Sequence, residues 1–421
     1  MGVIRIAIIV LVTAVAVQVI PRFFKSNLPL HFGGFAAEKW LRVEETFRRN
    51  FENGWEHEGA AFAVYHKGEL VVDLWGGYAD EESLRKWKKD TIAVAYSSTK
   101  GVAALCIAVL VDRGLLSYDQ LVTKYWPEFG QNGKDNLTLA MLMNHQAGLV
   151  VLDRPITEED VLDHKQMSKL IERQRPNWPV GIESGYHALT FGFLADQLIR
   201  RVDHKKRSIG QFFREEIARP NDIDFHIGLP LEQYHRVARQ SKESPLSAVH
   251  LLLDIRVLMF IWKLTTRRSI WKEVGSNVPF LARQFATDHG ISEPEILALE
   301  IAAASGVGNA RALAKMFSLV TQKKILSRNT AEKLLNPWTN QTDRIIGFPV
   351  KRALGFMLHR KPEPFSQDDW LVGHPGFGGQ NFDFDYENEL VYAYVTNGLK
   401  PTFGELTRTW ANLKRSVLEC L

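Results

Sequence analysis

The chain has 421 residues and carries 52 Lys and Arg against 48 Asp and Glu, a formal net charge of +4 with histidine neutral. Hydrophobic residues are 45% and aromatics 11%, enough apolar material for one large core or two coupled ones. So small a net charge, with no basic stripe interleaved with aromatics, argues against nucleic acid as a partner, and two cysteines, Cys106 and Cys420, do not make a disulfide scaffold.

Taken in chain order, the first element is Val3 to Ile20, almost wholly apolar and closed by Pro21-Arg22. It is shorter than the ~20 apolar residues that span comfortably, so Arg5 must snorkel at one end. Its β-branched richness and the lack of a polar flank favour a signal anchor over residues 1–24, with the body lumenal or extracellular and the membrane as a partner. Thr13-Ala14-Val15-Ala16 offers a small-residue cleavage site, so secretion after cleavage is the alternative. If the body is translocated, Asn136-Leu-Thr138 and Asn340-Gln-Thr342 are N-glycosylation acceptors.

From Phe35 to Phe51, Trp40, Val43, Phe47 and Phe51 recur at helical spacing, which predicts a helix packing one face on a sheet. Gly59 to Trp75 reads as a hairpin turning at Lys67-Gly68. Val94-Ala95-Tyr96 then reads as the end of a buried run, and Gly101 to Asp112 as an apolar helix holding Cys106 as packing. Between them stands Ser97-Ser98-Thr99-Lys100, where a spacing of three sets the Lys100 amine beside the Ser97 hydroxyl on one helix face. That arrangement suits a nucleophile with an adjacent base, and equally a helix N-cap. The same Ser-x-x-Lys spacing at Ser83 to Lys86 and Ser269 to Lys272 sits among charged residues and reads as solvated surface.

Further along, Leu246 to Leu264 is an apolar stretch ending in a basic cluster of Lys263, Arg267, Arg268 and Lys272. Asp254 and Arg256 interrupt it, which favours a buried helix; a membrane-contacting helix or a lid over an acyl chain is the alternative. Asn381 to Asp385 and Leu390 to Thr396 form a second hairpin around Glu387-Asn388. There Asp383, Asp385, Glu387 and Glu389 alternate with aromatics and read as a strand's exposed face rather than a calcium loop, which would need a loop glycine. Leu406 to Leu418 closes the chain as an amphipathic helix. Strands at both ends with helices between predict an α/β fold of the α+β type, with sheet segments 34–96 and 346–418 and a helical insertion over 97–345.

Two later segments extend the Ser97 motif: Trp178-Pro-Val-Gly-Ile-Glu-Ser-Gly-Tyr186-His-Ala-Leu-Thr-Phe-Gly192 and Gly373-His374-Pro375-Gly376-Phe377-Gly378-Gly379-Gln380. With Ser97 to Lys100, and with support from Leu137 to Leu149 and Ser305 to Lys315, they resemble in order the signature blocks of serine penicillin-recognising enzymes: class C β-lactamases, DD-peptidases and related family VIII-type carboxylesterases. The resemblance covers roughly positions 55 to 400. It implies a β-lactamase-like domain over 34–418, an antiparallel sheet flanked by N- and C-terminal helices with an inserted all-helical subdomain. There are departures. Class C enzymes carry Tyr-x-Asn and Lys-Thr-Gly, whereas this chain has Tyr186-His187-Ala188 and His374-Pro375-Gly376. The lost amide weakens the case for β-lactams, and the histidine looks like the carboxylesterase branch.

The resemblance implies catalysis by Ser97, Lys100 and Tyr186, with His374, Gly376 and Phe377 binding substrate or its oxyanion, and neither metal nor cofactor. The backbone amides of Ser97 and Phe377 would form the oxyanion hole, and His187 and Thr190 would line the same pocket. Because free lysine and tyrosine titrate near ~10, burial must shift one of them to make a base at neutral pH; the sequence leaves open which. The expected substrate is a small carboxylic ester, lipid-like if the apolar stretches serve it. An amide hydrolase of the peptidase type and an inactive membrane-tethered scaffold are the alternatives.

Overall fold

The structure is a computed structural model describing residues 28–242, 255–266, 268–287, 290–361 and 370–421. The expected anchor over 1–24 and the first part of the apolar stretch, 246–254, lie outside these residues. Among the described residues no helix is long and apolar enough to cross a membrane.

The chain enters through β1 (Phe32–Ala36) and α1 (Leu41–Glu52), whose Val43, Phe47 and Phe51 are buried together with Trp40 just ahead of it. Next come β2 (Gly59–His66) and β3 (Glu69–Asp80). Lys67 and Gly68 join them with φ of 50° and 82°, the two left-handed residues whose twist suits a tight hairpin. The insertion takes in β4 (Ala93–Val94), a few residues ahead of the expected 97, and continues through α2 (Thr99–Asp112), α3 (Thr190–Val202), β5 (Phe225–His226), α4 (Ile255–Thr266), α5 (Arg268–Ser276), α6 (Pro279–Ala286), β6 (Val307–Gly308) and α7 (Ala310–Thr321). Strands β7 (Phe356–Arg360), β8 (Trp370–Gly373), β9 (Asn381–Asp385) and β10 (Leu390–Thr396) return to the sheet, and α8 (Arg408–Leu418) ends the chain.

The main sheet is antiparallel, in the order β1-β3-β2-β10-β9-β8-β7, edged by Arg352–Ala353. Its two halves, contributed by opposite ends of the chain, meet where Ala63 of β2 pairs with Ala393 of β10. Period-two alternation sorts its side chains. Ala60, Phe62 and Val64 face α1 and α8, while Ala61, Ala63 and Tyr65 face the larger core shared with the insertion. Trp410 of α8 stacks on Tyr392, and on the other face Phe317 of α7 stacks on Phe382 at 4.1 Å between ring centres. Each such ring removed from water contributes about 1.5–3 kcal/mol. The insertion is helical apart from small strands, of which β6 pairs with both β4 and β5.

Two expectations are corrected. Asp383 and Asp385 are buried, not exposed. The two do alternate with aromatics along the strand, but their face is the one α8 covers: Asp383 lies against His359 and Lys414, and Asp385 against Lys361 at 2.6 Å. Nor are the described side chains of the apolar stretch those of a fully buried helix. In α4, Val257 turns inward, but Leu258, Met259 and Trp262 are 41%, 48% and 60% exposed, because among the described residues only the Val257 side of the helix is covered.

Candidate active site

The chain passes from β4 through a single turn of 3-10 helix, Tyr96–Ser98, into α2. Tyr96 takes φ of 46°, a left-handed conformation that is a genuine outlier for a bulky side chain and costs on the order of 1–3 kcal/mol. Its surroundings hold it there. The ring is buried, the hydroxyl donates to Gln240 Oε1 at 2.5 Å, and the ring meets Phe377 edge-on at 5.4 Å. Immediately after this strained residue the backbone delivers Ser97 to the floor of a cavity.

Lys100 lies one helical turn along and is wholly buried. Its Nζ is 3.1 Å from Ser97 Oγ and donates to the carbonyls of Ala188 and Ala303, each at 2.8 Å. Tyr186, brought in from 89 residues away, donates from its hydroxyl to Ser97 Oγ at 2.8 Å. Burial acts on the two groups in opposite directions, holding the Lys100 ammonium well below its ordinary range and pushing the Tyr186 phenol up. Burial therefore favours the neutral amine at Lys100 and the protonated phenol at Tyr186.

Tyr186 is braced from behind. Its backbone N–H donates to Asp343 Oδ1, and Asp343 also accepts from Ile345 N, Ile346 N and the guanidinium of Arg352, the last at 2.6 Å. The His145 ring stands 5.1 Å from the Tyr186 ring.

The segment after β8 closes the site. Ser98 Oγ donates to the His374 carbonyl at 2.9 Å, tying this turn to the one that carries Ser97. A Cβ at Gly376 would fall 2.5 Å from the Ala95 carbonyl oxygen, so only glycine permits that approach. Gly376 and Phe377 line the cavity with Ser97 and Tyr186. His374 stands behind them, 1% exposed, with Nδ1 2.9 Å from the Pro375 carbonyl. That carbonyl only accepts, so Nδ1 carries the proton, and burial holds the imidazole neutral.

The cavity has a volume of about 470 Å³ and is walled almost entirely by apolar groups, among them Leu189, Trp271, Val274, Leu281, Ile346 and Phe403. Ala188, where the related pattern has an amide, is one of its lining residues. His187 and Thr190, expected in the lining, are absent from it. Both are buried and support backbone: His187 Nε2 accepts from Leu149 N, and the Thr190 hydroxyl donates to the Leu149 carbonyl.

Several contributors had no signal in the sequence reading. The Ala303 carbonyl, Gln240, and the Asp343–Arg352 pair belong to no recognisable block; only long-range packing brings them in. His145 does fall within the Leu137 to Leu149 segment, whose resemblance pointed to the region without assigning the side chain. Away from the site, His359, Asp383 and Glu405 have ligand atoms within 4.8 Å of one another. Lys414 Nζ, 2.7 Å from Glu405 and 3.4 Å from Asp383, already supplies a cation there.

The beta-lactamase family model matches residues 47–415. The esterase/beta-lactamase LipL of Mycobacterium tuberculosis is 34% identical over 376 residues, covering 87% of this chain and 83% of that protein. Among solved structures, a family VIII carboxylesterase superposes with a TM-score of 0.79 at 30% identity, over 93% of this chain and all of that one. A penicillin-binding protein homologue from Caulobacter crescentus superposes with a TM-score of 0.74 at 28% identity, over 93% of this chain and 100% of its own.

Proposed function

The chain belongs to the beta-lactamase family and is a serine hydrolase, and from that premise we propose that it cleaves carboxylic esters with apolar acyl groups through an acyl-enzyme on Ser97. The observation that carries this reading is the placement of one hydroxyl, Ser97 Oγ, between a buried amine and a tyrosine hydroxyl on the floor of an apolar cavity.

Lys100 takes the Ser97 proton and Oγ adds to the ester carbonyl carbon. The negative charge on the carbonyl oxygen is met by the backbone amides of Ser97 and Phe377. Collapse breaks the bond to the alcohol oxygen, which leaves with the Tyr186 proton; the Lys100 ammonium returns a proton to Tyr186 through the same network. Water then adds to the acyl carbon as Lys100 takes its proton. Ser97 leaves with that proton and the free acid is released. Two easier displacements replace one difficult one. The methyl of Ala188 in place of an amide, and cavity walls that offer little to a polar side chain, favour esters over β-lactams. With an apolar N-terminal segment in the sequence, a lipid-like ester and a membrane-tethered body fit the same picture.

The test is a fluorophosphonate probe applied to the wild-type chain and to Ser97→Ala, with the adduct located by mass spectrometry. Labelling of Ser97, lost in the variant and competed by esters of increasing acyl length more effectively than by penicillin, is the expected result. Preferential competition by penicillin would move the assignment to amide hydrolysis. A folded protein that takes no label would point to a binding or scaffold role.

A further inference from the structure

We propose that α4 is a docking face for an anionic lipid surface, set one helix away from the Ser97 cavity. At about 100° per residue, Leu258, Trp262 and Met259 share one side of this helix, opposite the inward-facing Val257, and all three are at least two-fifths exposed. Arg256 and Lys263 fall on the adjacent edge of the exposed arc. An apolar strip bordered by cations is the pattern of a helix lying in a membrane interface, its apolar side among the acyl chains and its cations at the headgroups.

Charge selects the occupant. Over 255–276 the sequence has Arg256, Lys263, Arg267, Arg268 and Lys272 against a single acid, Glu273. This short segment carries an excess of four positive charges, equal to that of the whole chain. An anionic bilayer complements such a segment, whereas a second copy of the same face would repel it.

Position gives the surface a purpose. Lys263 Nζ lies over the rings of Trp262 and Phe348, and Phe348 packs on the cluster that holds Tyr186, Ile346 and Met357. The following helix, α5, contributes Trp271 and Val274 to the cavity wall. A bilayer against α4 would therefore lie one helix away from the cavity, so that a membrane-resident ester reaches Ser97 without crossing bulk water. The proposal rests on the ester reading only for what enters the cavity.

The test uses the full chain with vesicles of phosphatidylcholine, with and without phosphatidylserine, carrying brominated acyl chains that quench tryptophan. Residues 1–24 contain no tryptophan, so quenching reports on the body even if that segment inserts. The expected result is quenching that is stronger with phosphatidylserine and that falls in Trp262→Phe. In parallel, Leu258→Glu with Met259→Glu should lower hydrolysis of a vesicle-resident long-chain ester on the order of tenfold while leaving a soluble short-chain ester unchanged. Quenching identical in wild type and Trp262→Phe overturns the proposal, as does quenching indifferent to phosphatidylserine. Protection of Trp262 from soluble acrylamide that grows with protein concentration, without vesicles, would assign the face to a second copy and overturn it too. Failure to hydrolyse even the short ester would instead count against the ester reading, while the quenching result would still decide the docking face.

Discussion

Lys100 Nζ lies 3.1 Å from Ser97 Oγ, with two carbonyl oxygens, those of Ala188 and Ala303, each 2.8 Å from it. A neutral amine has two N–H bonds and one lone pair. Two carbonyls use the bonds, and the lone pair is left for the Ser97 proton. Burial favours that form, so kcat/KM should rise with pH as Lys100 loses its proton and fall as acid restores it. Lys100→Arg, always charged, should lower kcat/KM by about 10²–10⁴ and abolish the acid limb assigned to Lys100. A retained limb in an active variant would assign it to another group.

Tyr186→Phe keeps the ring among Trp178, Ile345 and Met357 but removes the 2.8 Å donor to Ser97. We expect kcat for esters to fall about 10²-fold or more with the melting temperature nearly unchanged, since only one hydroxyl is lost. Steady-state kinetics beside calorimetry separates this from a folding defect.

Tyr96→Phe removes the hydrogen bond to Gln240 that helps hold a left-handed residue ahead of the nucleophile. The loss should cost about 1 kcal/mol of stability. It should also lower kcat more than KM, because the displaced group is the attacking oxygen rather than the cavity wall. An unchanged kcat would show that packing alone holds the strain.

Asp343→Ala leaves Arg352, 1% exposed, without its carboxylate and removes the acceptor of the Tyr186 N–H. Breaking such a buried pair from one side costs about 3–5 kcal/mol, to be read from denaturant unfolding. Asp343→Asn, which keeps an acceptor for the backbone amides, should lose less.

Acid should unfold the protein early. His187 is buried and held at about 4, chiefly by burial and against the opposing pull of the Gly185 carbonyl; His57 is likewise held at about 3 by burial, aided by Lys400. The unfolded chain binds protons to both below about 6.5. Their contribution to stability is thus complete above that pH and shrinks as pH falls toward the folded values, by about 1.4 kcal/mol per pH unit for each group. Unfolding curves between pH 7.5 and pH 4.5 should show that slope, and His187→Gln should flatten it if the variant folds.

Where one turn of chain settles the geometry, the sequence alone was sufficient. A step of three residues, from the 3-10 turn into α2, puts Lys100 beside Ser97, two left-handed residues at Lys67-Gly68 set the hairpin, and the spacing of Val43, Phe47 and Phe51 defines the buried face of α1. The order of the three blocks likewise singles out Tyr186, whose hydroxyl lies 2.8 Å from Ser97 Oγ. Other features depend on what packs against an element from far away in the chain. The alternation of β9 shows that Asp383 and Asp385 share a face, yet whether that face is wet or dry was decided by α8 returning over it with Lys414. The environment of the lysine depends on packing in the same way. Ser-x-x-Lys spacing is identical at an exposed loop and at Ser97, and only burial, together with the carbonyl of Ala303 from 203 residues along the chain, turns one of those lysines into a neutral amine. Local backbone geometry is encoded residue by residue; solvation and electrostatic environment belong to the packed whole, because they depend on which distant groups exclude the water.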